Sequence, residues 1–573
     1  MSRFLPKLTE LNQVRELFGL ERGTFEGREG HEPHDPSFAY IWNHSYLSPL
    51  AMAEFPPLGN LPTLQWGLKV AERVIAVVAN TIAYDASEKD YAEIKAKIEN
   101  LKDEVERKTL NLATLRAVVS DVTEYGKIVK ASGERPKSME DYAEMFQLIG
   151  LPAVSSDYNQ DATFAAMRTA GPNPMSIARL NRPLSNFPVT EAQYQQVMRG
   201  DTMDAAMNGN RLYVCDYQAL SVMEQNTTVL PLKYLYAPIA LFAEHPTTGQ
   251  LWPVAIQTQQ TPGPDNPIVI ANGGYDWLIA KSIVEMADGN YHELVSHLGR
   301  THLYVEPFVV ATGRNLPLDH PVAKLLWPHF EGTLFINFAA LFTLINVGGP
   351  VEQLLSGTLH SDLDVTVNGV VNYPFNDAFL PKNFADRGVD TLTQYAYRDD
   401  ALLYWNAIRD WVSNYLNATY NPPGGVAGDV NLQKWYDDLV SENGGRVKGF
   451  GESGALTTRE YLIETLTLLI FTSSVQHAAV NFPQFDLMSY CPNMPLAMYS
   501  KFPGSGAGPQ DYLNIMPPID RARLQLQILY LLGTPHYTEI GKYADGYFGP
   551  DIANGPLKSF QQSIGRIGST IQT

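Results

Sequence analysis

Apolar residues recur at steps of three and four along most of the chain, which predicts a mainly α-helical protein. Residues 1–20 form an amphipathic segment, and residues 61–82 predict a mostly apolar helix. Residues Tyr91 to Val119 predict a highly charged helix with a stripe of apolar residues at heptad-like spacing along one face. The stripe is typical of one arm of a helical hairpin, and equally of an ordinary amphipathic helix packed on a larger core.

The composition changes after Pro136, and we place a domain boundary near residue 150. Residues 1–150 are then a helical N-terminal extension, and residues 151–573 form one large helical domain. Extended runs are few in the second part, and each suits a short strand or a small hairpin. These runs are Arg211–Cys215, Tyr234–Phe242 and Leu251–Thr258. The expected fold class is therefore mainly α, with a few short strands.

The composition is that of a chain that builds a core, since 45% of its 573 residues are apolar and only 18% are charged. The net charge of −19 disfavours nucleic-acid binding, because contacts to phosphates need clustered Lys and Arg. Two cysteines, Cys215 and Cys491, cannot build a thiolate metal cage. Any metal site must therefore use histidine, asparagine or carboxylate ligands.

Neither a secretion signal nor a membrane span is visible in the sequence. Residues 1–7 lack an apolar stretch of signal-peptide length. The longest apolar run, Leu334–Val347, is interrupted by polar residues such as Asn337 and is shorter than the ~18–20 residues that a span needs. We expect a cytoplasmic protein. Residues 1–20, with the aromatic residues of 40–46, either bring it to membrane surfaces as a peripheral protein or pack on the domain.

Five of the 12 histidines lie between His292 and His329, a density that suggests a site rather than scattered surface residues. His292-Glu293 looks like the start of the zinc motif HExxH, but the second histidine, His297, comes one residue late. His302 follows after another five residues, and residues five apart lie ~140° apart on an ideal α-helix. A wider π-type turn would bring these side chains together, and such turns are frequent at functional sites.

A second candidate element carries His477 and Asn481, which share one face of an ordinary helix because they are four residues apart. An imidazole with an amide oxygen is a poor zinc site but suits iron. The simpler interpretation of His477 alone is a core histidine with satisfied hydrogen bonds. Neither element identifies a metal site by itself.

Taken together, these motifs resemble the catalytic domain of the lipoxygenase family. The resemblance extends from about residue 150 to the end of the chain, and it is specific because many stretches match in order. The matching stretches are Asp161–Pro174, Leu212–Tyr217, Tyr236–Phe242, Trp277–Lys281, His302–Phe308, Arg314–Pro321, Leu325–His329, Ile336–Asn337, His477–Phe482 and Pro492–Pro495.

The resemblance implies a ligand set for one non-haem iron. His297, His302 and His477 match the family's three imidazole ligands, and Asn481 matches a weaker fourth ligand. Manganese is the less favoured metal. A redox metal with an open position agrees with such a ligand set.

Other positions of the resemblance surround the ligands. Glu293 and Gln484 match a pair that links the two metal-bearing helices, and such outer hydrogen bonds orient metal ligands. The remaining histidines of the cluster match positions that do not bind metal. These are His292, His320 and His329.

The activity that the resemblance implies is the dioxygenation of polyunsaturated fatty acids. A hydrogen atom leaves the methylene between two cis double bonds, and O2 adds to the resulting radical to give a hydroperoxide. An apolar channel must hold the chain, and Phe338–Leu344 is a candidate wall as well as plain core. By spacing from His302, Ala340 matches the family's stereocontrol position and Leu344 a position that clamps the substrate.

Two other functions stay open at this point. One is a lipoxygenase-like enzyme that isomerises or cleaves hydroperoxides, which an incomplete iron site would favour. The other is a non-catalytic helical protein that binds lipids or membranes through its amphipathic N-terminus.

The sequence departs from the family pattern at both ends. Many members begin with a β-barrel module, whereas residues 1–150 predict helices, as in a minimal bacterial lipoxygenase. Family members end in an isoleucine whose carboxylate binds the iron, whereas this sequence ends in Thr573. We expect that the C-terminal tail is missing from the sequence rather than that Thr573 replaces it.

Overall fold

The computed structural model describes residues 39–61, most of 72–84, 134–533 apart from residue 228, and 539–571. The amphipathic segment 1–20 and the stripe 91–119 lie outside the described residues. The described positions between residues 72 and 84 are helical, as predicted for that segment. No helix among the described residues is long and apolar enough to cross a membrane.

Helices make up most of the described chain, so the predicted mainly α fold class is confirmed. We number them α1 Asp141–Glu144, α2 Asp161–Ala170, α3 Glu191–Val197, α4 Met203–Asn208, α5 Tyr275–Tyr291, α6 Tyr304–Asn315, α7 Pro321–Leu326, α8 Thr333–Thr343, α9 Pro350–Leu354, α10 Leu359–Val371, α11 Leu380–Asp386, α12 Ala396–Thr419, α13 Gly425–Gly428, α14 Val430–Val440, α15 Arg459–Phe471, α16 His477–Asn481, α17 Pro509–Ile515, α18 Ile519–Leu532, α19 Pro550–Ile552 and α20 Lys558–Ile571. Four π-helical segments are His292–Leu303, Thr472–Gln476, Gln484–Met488 and Ala553–Leu557.

The strands form two antiparallel sheets. A two-stranded sheet pairs β1 (Trp42–Asn43) with β2 (Met52–Ala53). The larger sheet has the order β3-β4-β5-β6-β7. Its strands are β3 Ile177–Arg179, β4 Leu212–Asp216, β5 Ile239–Glu244, β6 Leu251–Gln257 and β7 Val269–Ile270.

The three predicted strands all exist, but they belong to a larger sheet than a short hairpin. The strand predicted from Tyr234 begins only at Ile239. Pro238 has no N–H for the ladder, and Tyr234 pairs with Met498 instead. The edge strands β3 and β7 have three and two residues, too few for a visible alternation of polar and apolar positions.

A nearly continuous helical rod runs through the centre of the molecule and carries two of the candidate ligands. It consists of α5, the π segment His292–Leu303 and α6. α10 packs along the π segment, and α16 contacts it from another side. Nearly every residue of α6 is buried, so the rod is enclosed by the rest of the fold.

The described part of residues 1–150 packs directly on this helical body. The indole nitrogen of Trp42 donates a hydrogen bond to Asp438 at 3.0 Å, and the backbone N–H of Ala53 donates to Glu306 at 2.7 Å. Strand β2 therefore reaches α6, the helix that immediately follows the π segment.

Candidate metal centre

His297 and His302 lie on a π-helical segment, as their spacing of five residues predicts. In a π-helix each backbone N–H bonds five residues back, so side chains at positions i and i+5 come to one face. The Nε2 atoms of His297 and His302 lie 3.2 Å apart. The rings are 4.9 Å apart between centroids and meet edge to face.

His477 completes the cluster from α16. Its Nε2 lies 3.0 Å from Nε2 of His302, and the ring nitrogens of all three histidines lie within 4.8 Å of one another. Among the described residues this is the one group of histidine, cysteine or acidic side chains that is arranged to hold a metal ion. The i, i+4 relation of His477 and Asn481 holds, although π segments lie on both sides of this short helix.

All three rings are neutral at physiological pH. Burial lowers the pKa of each histidine, that of His302 to about 3 and that of His477 well below its usual value. The neighbouring rings lower the pKa of His302 and His477 further, because two imidazolium ions cannot be accommodated so close together. Neutral imidazoles are the form that binds metals.

The distances between these nitrogens fit a common metal ion. Two ligands about 2.1 Å from one ion lie about 3.0 Å apart at a right angle and about 3.4 Å apart at the tetrahedral angle. The observed distance of 3.0 Å equals the right-angle value, and the observed distance of 3.2 Å lies midway between the two values. Lone pairs that face each other at this distance repel unless a cation lies between them. Both distances therefore suit one transition-metal ion that binds between these rings.

The tautomer of His302 is consistent with this reading. Its Nδ1 lies 2.9 Å from the amide oxygen of Asn337, so Nδ1 carries the proton and Nε2 carries the lone pair. Asn337 is the polar residue that interrupts the apolar run of α8. A polar amide within an apolar helix is the signal that marks this residue in the sequence, but nothing in the sequence identifies its partner.

Asn481 and Gln484 form a second buried group beside the histidines. The Gln484 amide donates to Oδ1 of Asn481 at 3.0 Å, and the Asn481 side chain also lies beside His297. Nδ2 of Asn481 and Oε1 of Gln484 are buried without a hydrogen-bond partner in the described chain. One donor and one acceptor of these two amides are therefore left without a hydrogen bond next to the histidine cluster.

Glu293 lies between two histidines rather than against Gln484. Its carboxylate oxygens are 3.5 Å from Nδ1 of His292 and 3.6 Å from Nδ1 of His297. His292 joins the two metal-bearing helices instead, because its Nε2 lies 2.7 Å from the backbone oxygen of Val480. No hydrogen bond between Glu293 and Gln484 exists in the described chain.

The two other histidines of the dense region have their own hydrogen-bond partners, although His329 lines a cavity that His302 and His477 also line. His320 bonds Asp429 at 2.9 Å and accepts the backbone N–H of Val322 at the start of α7. His329 lies 3.1 Å from the hydroxyl of Tyr543. Neither ring belongs to the metal-like cluster.

A cavity of about 900 Å³ opens on His302 and His477. Apolar side chains such as Val305 and Ile336 contribute most of its wall. Apart from histidines, its charged lining residues are all acidic among those described. These are Glu331, Asp400 and Glu539.

Ala340 and Leu344 do not line this cavity. Ala340 is buried on the same face of α8 as Asn337, about one turn further along. Leu344 packs in a cluster that contains Leu303, the residue after His302. Both residues are therefore close to the rod that carries the ligands, on the side of α8.

The fold and the cluster define a class of protein: a helical metalloprotein in which π-widened helices bring three neutral histidines together. The sequence matches the lipoxygenase family over residues 65–525. The chain belongs to the lipoxygenase family, and it is therefore an enzyme, a dioxygenase.

Relatives of known sequence and structure agree with this assignment. The chain is 33% identical to the linoleate 9/13-lipoxygenase of Pseudomonas aeruginosa, with 93% of this chain and 86% of that protein covered. The crystal structure of a coral 8R-lipoxygenase superposes with a TM-score of 0.79 at 26% identity, covering 99% of this chain and 78% of that one. A lipoxygenase crystallised with arachidonate gives a TM-score of 0.78 at 26% identity, covering 99% and 79%.

Proposed function

We propose that His297, His302 and His477 hold one non-haem iron and that Asn481 supplies a fourth protein ligand. The observation that carries this proposal is the convergence of the three rings, with Nε2 of His302 3.2 Å from that of His297 and 3.0 Å from that of His477. Three neutral imidazoles and an amide oxygen form a ligand set of the kind that iron accepts and that zinc sites rarely use. Manganese prefers more oxygen ligands, which makes it the weaker candidate.

The enzyme inserts O2 into polyunsaturated fatty acids and forms hydroperoxides. The relative from Pseudomonas is named for linoleate, and a structural neighbour was crystallised with arachidonate. We take acids with a cis,cis-pentadiene as the substrate class of this chain. When bound, iron supplies the one-electron chemistry that removal of a bis-allylic hydrogen atom needs.

The chain's own residues keep the site dry and ordered. His297 is buried and its two partners are half-buried where they line the cavity. Gln484 fixes Asn481, and Asn337 fixes His302. A rigid, water-poor site limits side reactions of a radical intermediate.

We place the acyl chain along the buried face of α8, against Ala340 and Leu344. The acidic residues around the cavity beside His302 and His477 would repel a fatty acid carboxylate, which makes that cavity a poor place for the head of the substrate. Enlarging Ala340 to Phe should then raise KM at least tenfold. Ala396→Phe, at an exposed position on the edge of the cavity, is the matched control and should leave KM unchanged. The opposite pattern would move the acyl chain into the cavity.

Oxygen consumption with linoleate tests the function itself. The protein loaded with Fe2+ should consume O2 and form a conjugated diene hydroperoxide in equal amounts. His477→Ala should abolish both, whereas His360→Ala, at an exposed position, should leave both intact. Consumption of added hydroperoxide without any reaction of linoleate would instead identify a hydroperoxide isomerase or lyase.

A further inference from the structure

A chain of buried hydrogen bonds connects strand β2 to His302. The backbone N–H of Ala53 donates to Oε1 of Glu306 at 2.7 Å, and Nδ2 of Asn337 donates to Oε2 of Glu306 at 2.7 Å. Oδ1 of Asn337 then accepts from Nδ1 of His302 at 2.9 Å. Glu306 is 1% exposed and Asn337 is 2% exposed, so water does not compete for these bonds.

The direction of the bonds in this chain is fixed by groups that can only donate or only accept. The backbone N–H of Ala53 can only donate, and the backbone oxygen of His302, which lies 3.3 Å from Nδ2 of Asn337, can only accept. Asn337 must therefore turn its Nδ2 toward Glu306, which leaves Oδ1 for His302. An amide oxygen needs a donor, so His302 must carry its proton on Nδ1, and its lone pair on Nε2 faces the other two histidines.

We propose that Glu306 and Asn337 are positioning residues that hold His302 in its metal-binding tautomer, with the backbone of Ala53 as the fixed end of the chain. The inference rests on the proposed function, since the tautomer matters only if His302 binds a metal. It assigns Glu306 a role that its place on α6 does not suggest. The residue lies four positions after His302 and touches the ring only through Asn337.

Glu306→Gln tests the proposal because it preserves size and removes one acceptor. The new amide meets two donors, Ala53 N–H and Asn337 Nδ2, and can accept from only one of them through its single oxygen. Asn337 then either loses its bond to position 306 or turns over and loses its bond to the backbone oxygen of His302. In both cases Nδ1 of His302 is held less firmly, and the tautomer with the proton on Nε2 becomes more populated. We expect the affinity for Fe2+ to fall about 10- to 100-fold, the usual effect of losing a residue that orients a ligand.

A compensating variant separates tautomer control from packing. In Glu306→Gln with Asn337→Asp, the amide at 306 accepts from Ala53 N–H and donates to the carboxylate at 337. That carboxylate accepts from Nδ1 of His302, so the bonds at the two ends of the chain keep their wild-type direction and only the bond between positions 306 and 337 is reversed. Metal affinity should return to within about threefold of the wild type, since histidine ligands commonly bond a carboxylate in this way.

The matched control is Glu244→Gln in the large sheet. Glu244 is buried like Glu306 and accepts one backbone N–H, from Thr393 at 2.8 Å, and one side-chain donor, Tyr213 at 3.1 Å. The same substitution therefore removes the same kind of acceptor without touching the histidines. Its metal affinity should equal that of the wild type, whatever its melting temperature does.

The readout is Fe2+ retained per chain after equilibrium with a competing chelator, together with the Tm of each metal-free variant. The single variant at wild-type affinity would overturn the inference, and so would a double variant no better than the single one. If Glu306→Gln does not fold, Asn337→Ala replaces it and should show a similar loss, with wild-type retention overturning the inference. A wild-type protein that binds no iron would overturn the proposed function and this inference together.

Discussion

Arg168 is expected to be a main support of the fold around α5, and its removal gives a measurable loss of stability. The guanidinium is fully buried and lies 2.6 Å from Glu285 and 3.1 Å from Asp288, with the hydroxyl of Tyr217 at 2.9 Å. Arg168→Met keeps most of the volume but leaves two buried carboxylates without their cation. Breaking a buried ion pair in this way costs about 3–5 kcal/mol.

The expected shift of the melting temperature follows from the size of the chain. The unfolding entropy is about 2.1 cal/mol/K per residue. For 573 residues that unfold as one unit, Tm therefore falls by about 1 °C for each ~1.2 kcal/mol of stability that is lost. Arg168→Met should therefore lower Tm by about 2.5–4 °C at neutral pH. Calorimetry of the metal-free protein measures this shift without any contribution from bound iron.

The pH dependence and a compensating variant sharpen the test. Burial raises the pKa of Glu285 while Arg168 lowers it, so loss of Arg168 raises it further. A carboxyl whose pKa is raised in the folded state does not change the free energy of unfolding at a pH below its unfolded pKa of about 4.3. As the pH rises above that value, the same carboxyl lowers the free energy of unfolding. The shift should thus be larger at about pH 8 than at about pH 5. Adding Glu285→Gln and Asp288→Asn should recover most of Tm, because neutral amides need no cation. A Tm within 1 °C of the wild type for Arg168→Met at about pH 8 would refute the reasoning.

Three further outcomes are expected. His297→Ala should lose the iron, whereas His292→Ala should keep it because the His292 ring bonds a backbone oxygen rather than the cluster. Elemental analysis after gel filtration measures the iron, and equal loss from both variants would show that the wrong histidines are assigned as ligands. In the family that the sequence resembles, alanine at the position of Ala340 usually accompanies S products, so we expect mainly S hydroperoxide from the wild type. Ala340→Gly should shift the product toward R, since a missing methyl opens space that packed interiors do not otherwise leave; an unchanged S/R ratio in chiral chromatography would contradict this. Deleting residues 1–20 should reduce sedimentation with liposomes but spare turnover of detergent-dispersed substrate; unchanged sedimentation would remove the membrane role.

The predictions that succeeded from sequence rest on local periodicity. A histidine five residues after another predicts a widened helix, and the π segment His292–Leu303 confirms it. The helical character of the chain follows in the same way from apolar spacing. Such signals depend only on neighbouring residues, so they can be read without knowing the fold.

The features that the sequence did not predict depend on contacts between distant residues. Glu306 and Ala53 are 253 positions apart, and Asn337 and His302 are 35 positions apart. Nothing in the local sequence marks Glu306 as a partner of a ligand, since a glutamate on a helix is usually solvated. The cavity beside His302 and His477 is likewise formed by segments that only the fold brings together.

Diffraction from crystals of the iron-loaded protein, recorded on both sides of the iron absorption edge, tests the central claim most directly. We predict one anomalous peak per chain at the iron edge, within bonding distance of Nε2 of His297, His302 and His477. A peak placed elsewhere, or density between the three rings that gives no iron signal, would contradict the assignment of this cluster as the iron site.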